Sequence, residues 1–138
     1  MLKYEDLTVG KTLTVDVNKL ITRQQLQQYA KASGDLNPLH TDDEFAKKIG
    51  MPSVIAHGML IMGQLGKYVT NLAGDTATVK QYKMRFGAMT FPNDEITCVA
   101  VVKSLSEHEG KSCAALTLYA SKEQDTIVGT GQAILEFH

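Results

Sequence analysis

The stretch His57-Gly58-Met59-Leu60-Ile61-Met62-Gly63-Gln64-Leu65-Gly66-Lys67-Tyr68-Val69-Thr70-Asn71-Leu72-Ala73 decides the fold. It has no proline and is apolar nearly all round, with Lys67 and Asn71 only late, which is the pattern of a helix buried on most sides. At 1.5 Å per residue such a helix spans about 25 Å, the width of a small domain. Gly63 and Gly66 cost it roughly 1 kcal/mol each relative to alanine, a cost explained if another backbone packs close to both. The rest of the chain is expected to wrap around this segment.

On its N-terminal side, Leu13, Val15 and Val17 alternate with Thr12, Thr14 and Asp16, the period of a strand with one buried face. Thr22 and Gln25 then stand at capping-box spacing, Leu26, Tyr29, Ala30 and Ser33 share a helical face, and Gly34 supplies a left-handed stop, so 22–33 is a helix. Thr41 with Glu44 repeats the capping spacing and predicts a short helix over 42–49, closed by Gly50 and Pro52. After Gly74 the period becomes two: Tyr82, Met84 and Phe86 alternate with Lys83 and Arg85. Three β-rich runs follow at 96–104, 112–120 and 127–137, separated by the polar breaks 107–111 and 122–125. The fold class is α+β, an antiparallel sheet wrapped on one long central helix, and 1–138 is a single domain.

Composition narrows the function. Of 138 residues, 43% are hydrophobic and 21% charged, a folding composition too short for a separate cofactor domain. Fourteen Lys and Arg against 15 Asp and Glu give a net charge of -1, so no nucleic-acid or membrane partner is expected. Cys98 and Cys113 lack metal-ligand spacing and read as reduced, buried thiols. The acidic start of the chain is unlike a signal peptide, and the uncharged run 49–66 contains Pro52, His57 and several glycines, which predicts a cytoplasmic protein without a membrane span.

The chemistry concentrates between the two short helices, in Ser33-Gly34-Asp35-Leu36-Asn37-Pro38-Leu39-His40-Thr41-Asp42. Asn37-Pro38 sets a rigid turn that can bring Asp35 and His40 to one side of a bend. A carboxylate and an imidazole sharing one water can divide proton removal and proton donation near pH 7. At Ala56-His57-Gly58-Met59 a glycine opens the core helix, leaving a backbone N–H at the positive end of the dipole as an oxyanion donor for a thioester carbonyl. His57 reads as structural, bonding a backbone group near the helix start.

The run Tyr29-Ala30-Lys31-Ala32-Ser33-Gly34-Asp35-Leu36-Asn37-Pro38-Leu39-His40, with Ala56-His57-Gly58-Met59, resembles the MaoC-like (R)-specific enoyl-thioester hydratases and dehydratases of the hot-dog fold. The resemblance implies that 1–138 is one hot-dog domain. It implies (R)-specific hydration of a trans-2-enoyl-CoA, or the reverse dehydration, with Asp35 and His40 as the acid–base pair, the Gly58 N–H on the carbonyl and Asn37 in an orienting role. Such members act without cofactor or metal, as homodimers or larger homo-oligomers, and a heterodimer is an alternative. Some relatives carry a serine further along the core helix where this chain has Gly63 and Gly66. Met59, Lys67, Lys83 and Arg85 are candidate substrate contacts, the three cations for carrier phosphates, although an ordinary solvated face is the stronger reading of them. Met62 and Phe86 are candidates for setting the depth of the acyl cavity. The competing readings are a dehydratase acting on 3-hydroxyacyl-carrier-protein, a hot-dog thioesterase, disfavoured because 55–73 holds no Asp or Glu, and a non-catalytic acyl-binding subunit.

Overall fold

The computed structural model describes the backbone of residues 1–138, and the side chains of all of them except Val17, Asn18 and Gln124. Five strands, β1 (Asp16–Leu20), β2 (Ala77–Phe86), β3 (Glu95–His108), β4 (Lys111–Lys122) and β5 (Thr126–Phe137), form one antiparallel sheet in the order β1-β3-β4-β5-β2. Three α-helices precede the four long strands: α1 (Arg23–Ser33), α2 (Asp43–Lys48) and α3 (Gly58–Ala73).

Alternation builds the core. Ile96, Cys98, Ala100 and Val102 on β3, Ala114, Leu116, Leu118 and Ala120 on β4, and Ala133 and Leu135 on β5 are all buried and share one face. Ile61, Leu65, Tyr68, Val69 and Ala73 of α3 are buried in the same cluster. Alanine at Ala100, Ala114, Ala120 and Ala133 keeps part of that face shallow, which suits a helix lying on it. Both cysteines are free and buried, and burial pushes the Cys98 thiol up to about 11. No helix among the described residues is long and apolar enough to cross a membrane.

Several expectations are corrected. The first strand lies at Asp16–Leu20, after the predicted alternation; Leu13 is buried, but Val15 is 42% exposed, and 12–13 reach β3 only through an isolated bridge and the Leu13 N–H to Ala100 carbonyl bond. The Val17 side chain falls outside the described ones. Helix α1 carries the expected capping box, whereas α2 is capped by the Asp42 carboxylate, which accepts from the Glu44 and Phe45 N–H groups; a carboxylate one residue closer wins over Thr41. Helix α3 is not buried on most sides: Met59, Gly63, Lys67 and Thr70 form an exposed stripe. Nothing approaches Gly63, and what packs on Gly66 is the Tyr82 ring, 3.1 Å from where a Cβ would stand, rather than backbone. Tyr82 is held there by donating to the Met62 carbonyl at 2.7 Å.

Candidate active site

The site forms where loop 34–42 crosses the start of α3. Gly34 ends α1 at φ 79°, a left-handed turn that glycine adopts without strain. The loop is then stitched by its own side chains. Ser33 Oγ accepts from the Asp35 N–H at 3.1 Å, Asp35 Oδ1 from the Asn37 N–H at 3.2 Å, and Asn37 Oδ1 from the Leu39 N–H at 3.0 Å. Each is a local turn bond of a kind Ser, Asp and Asn favour, and Pro38 opens the 3₁₀ turn 38–40 that lifts His40 toward α3. Asn37 thus orients the turn with its side chain and Asp35 with its backbone N–H.

These bonds leave Asp35 Oδ2 facing His40 Nε2 at 3.9 Å. The other ring nitrogen, Nδ1, donates to the Ile55 carbonyl at 2.8 Å, which fixes the neutral ring in the tautomer with a lone pair on Nε2. The His40 side chain is 12% exposed and that of Asp35 53%, so the imidazole is walled in while the carboxylate opens outward. His57 lies beneath, its ring stacked on His40 at 3.8 Å and 24°, with Tyr29 edge-on at 4.8 Å. His57 Nε2–H donates to the Asp35 carbonyl at 3.2 Å, the backbone bond its sequence position suggested, and its Nδ1 has no partner among the described residues. Burial, and secondarily the neighbouring His40, hold its pKa below the ordinary histidine value despite that bond, so His57 is neutral at pH 7.

Asp35, His40 and His57 offer ligand atoms within 4.8 Å of one another, the one grouping among the described residues with metal-ligand types. The nearly parallel rings send their in-plane lone pairs side by side, so both imidazoles reach one ion only after a ring turns, and the arrangement suits a water between Asp35 and His40 better.

The N–H groups of Gly58 and Met59 precede the first intrahelical bonds, which Leu60 and Ile61 donate to the His57 carbonyl. Gly58 borders a cavity of about 180 Å³ walled by Ile55, Ala56, Ile61, Phe86, Met89 and Val128, with Thr90 also lining it. The Phe86 ring lies 3.1 Å from where a Gly58 Cβ would stand. The loop 89–94 closes the wall: the Thr90 carbonyl accepts from the Ala56 N–H at 2.8 Å. Lys122 Nζ holds the loop from below through the Met89 carbonyl at 2.7 Å and Asp94 at 2.9 Å.

The other predicted contacts are scattered. Met59 is 56% exposed and is not part of the cavity wall. Lys67 lines a separate depression with Thr14, Asp16, Lys19 and Tyr68. Lys83 and Arg85 share a groove of about 510 Å³ with Thr117, Tyr119 and Thr130, on the opposite face of β2 from Phe86. Residues the sequence reading left out are Thr90, whose only signal was a threonine near Phe91-Pro92, and the Lys122–Asp94 pair, which carried none.

Comparison with known proteins identifies the family. The family described as "MaoC like domain" matches residues 6–124. The fatty acid synthase subunit beta of Saccharomyces cerevisiae is 31% identical over 114 residues, 80% of this chain but 5% of that protein, so the chain corresponds to a small part of this much longer relative. The 3-hydroxybutyryl-CoA dehydratase of Methylorubrum extorquens is 28% identical over 137 residues, covering 99% of this chain and 84% of that one. Among solved structures, an (R)-hydratase from A. caviae involved in PHA biosynthesis superposes with a TM-score of 0.83 at 27% identity, over 97% of this chain and 99% of that one.

Proposed function

Because the chain belongs to the MaoC-like dehydratase family, of the hot-dog fold, we propose that it is a hydro-lyase that adds water across the C2–C3 double bond of a trans-2-enoyl thioester to give the (R)-3-hydroxyacyl thioester, or runs the reverse elimination. The observation that carries this reading is the facing of His40 Nε2 and Asp35 Oδ2 at 3.9 Å, too long for a direct hydrogen bond and the right span for one water touching both. In the addition, the pair takes a proton from that water as its oxygen bonds C3, and a proton is delivered to C2. The developing enolate oxygen sits against the Gly58 N–H, where the start of α3 adds its dipole.

The step is redox-neutral and needs no organic cofactor or metal, since the thioester already acidifies C2 and the protein supplies orientation and charge stabilisation. Relatives of similar length include the 3-hydroxybutyryl-CoA dehydratase above and a mitochondrial 3-hydroxyacyl-[acyl-carrier-protein] dehydratase of Arabidopsis thaliana, so the reading takes in both kinds of thioester. The half-exposed Asp35 and the unpaired outer edge of β2 favour a site completed in an oligomer, a homodimer being the simplest.

The test is hydration of crotonyl-CoA by the purified chain, with the configuration of the product determined. The (R)-3-hydroxy product is expected; an (S) product, or hydrolysis of the thioester with the alkene intact, would overturn the reading.

A further inference from the structure

The residues just before α3 grip the loop that carries the acid–base pair at three points. The Ile55 N–H donates to the Leu39 carbonyl at 3.2 Å, and the Ile55 carbonyl accepts from His40 Nδ1–H at 2.8 Å. The third point is His57 Nε2–H on the Asp35 carbonyl at 3.2 Å. Among the described residues Asp35 makes no other hydrogen bond that leaves the loop: its N–H goes to Ser33 Oγ, its Oδ1 takes the Asn37 N–H, and its Oδ2 faces His40. Ile55 holds His40 directly, so it is through His57 that Asp35 is fixed relative to His40 and to the start of α3.

Ring packing does not account for a histidine here. The side chain is stacked on His40 and edge-on to Tyr29, and the residue is 2% exposed, a place where a phenylalanine would fill the same space and leave no polar atom unpaired. The histidine instead buries Nδ1 without a partner among the described residues, a cost that only the work of Nε2–H offsets. That N–H bonds the member of the pair that is half-exposed and otherwise tethered within its own loop. Burial keeps the ring neutral, so it is a donor and not a competitor for the proton that Asp35 and His40 handle. We propose that His57 is a positioning residue that sets the span between Asp35 and His40, and the place of both relative to the adjacent Gly58 N–H, by donating Nε2–H to the Asp35 carbonyl. The inference rests on the hydratase reading, which gives that span its water and that N–H its thioester oxygen.

The experiment measures kcat per folded chain and KM for crotonyl-CoA across the pH range, with the melting temperature, in the wild type, His57→Phe, His57→Gln and His57→Asn. His57→Phe keeps the ring and removes the donor. It should lower kcat by about 10²-fold and leave KM within about threefold, the mark of misplaced groups and intact binding. Its melting temperature should hold, since phenylalanine also removes the unpaired nitrogen. Glutamine puts an amide N–H where Nε2 stands and asparagine puts it nearer the backbone, so His57→Gln should recover kcat to within about tenfold of wild type and His57→Asn should not. The limbs of the pH–rate profile should be the same in all four proteins. A kcat within about threefold of wild type in His57→Phe overturns the proposal. So does an equal kcat in His57→Gln and His57→Asn, a comparison that stands even where the phenylalanine variant fails to fold. Loss of a limb of the pH profile in any folded variant also overturns it, as the sign of a ring that carries the proton itself. A folded wild type that does not hydrate crotonyl-CoA overturns the hydratase reading and the role of His57 with it, whereas an active wild type with any of the preceding three outcomes removes only the role of His57.

Discussion

The loop that carries Asp35 and the cavity that borders Gly58 meet at the start of α3 and are built in opposite ways. The loop is polar and open, and its bonds run between residues two apart, from Ser33 to Asp35, Asp35 to Asn37 and Asn37 to Leu39. The cavity is apolar and only partly enclosed, and its wall is assembled from 55–61, 86–90 and Val128, segments joined by tertiary contacts such as Ala56 to Thr90 and Lys122 to Met89. The proposed acid–base pair is thus placed by local turn bonds, and the wall beside Gly58 by packing between distant parts of the chain. Substitutions in the first region should change rate and leave stability, and those in the second should change both.

The largest effect is expected in the loop. Asp35→Asn or His40→Gln should lower crotonyl-CoA hydration by about 10³-fold or more, with circular dichroism and melting temperature unaltered; activity within tenfold of wild type in both would remove the pair from the mechanism. At the seam between the regions, Gly58→Ala pushes a methyl into the Phe86 ring, 3.1 Å away, and should cost about 10²-fold in kcat. Adding Phe86→Ala should restore part of that loss, and a double variant as slow as the single one would show that the ring and the Gly58 N–H do not share a space.

Smaller effects test the packed side. Lys122→Met leaves Asp94, whose side chain is 13% exposed, without its cation and unties the Met89 carbonyl, which should lower stability by about 2 kcal/mol in urea unfolding. It should also reduce activity through the Thr90 wall, and activity kept at full stability loss would sever the loop from the site. The smallest effect is a pH dependence. His57 is neutral in the fold with its pKa held below the ordinary value, so the unfolded chain binds its proton first. Its stabilising contribution is complete above about pH 6.5 and is lost as pH falls from there toward the lower folded value. Urea midpoints at pH 5 and pH 8 should differ less in His57→Gln than in the wild type, and equal differences would assign the acid sensitivity elsewhere.

The same contrast explains what could be read from the chain. The strands of the C-terminal half, α1 with its Thr22–Gln25 box, α3 and the Asp35–His40 loop all rest on spacing between near neighbours, and all were legible. Even His57, whose bond to the Asp35 carbonyl spans the two regions, was legible as a backbone-binding residue because it precedes a helix. What spacing cannot reveal is which distant segments meet. Met59 follows Gly58 directly yet faces outward, Lys67 lies apart from Lys83 and Arg85, and Gly63 stands free where a close neighbour was expected. Thr90 is invisible for the same reason, since its burial and its carbonyl's bond to the Ala56 N–H join segments far apart in the chain.

The two stacked imidazoles bear on the route open to the proton of the proposed reaction. The rings lie 3.8 Å apart, and burial, with the neighbouring His40, holds the pKa of His57 below the ordinary histidine value. In the proposed addition, a proton that the Asp35–His40 pair takes from water is not passed to the buried ring, and it goes on to C2 of the acyl chain or escapes past Asp35. In that scheme the proton lost by the water at C3 and the proton gained at C2 cross the same half-exposed doorway, the Asp35 carboxylate.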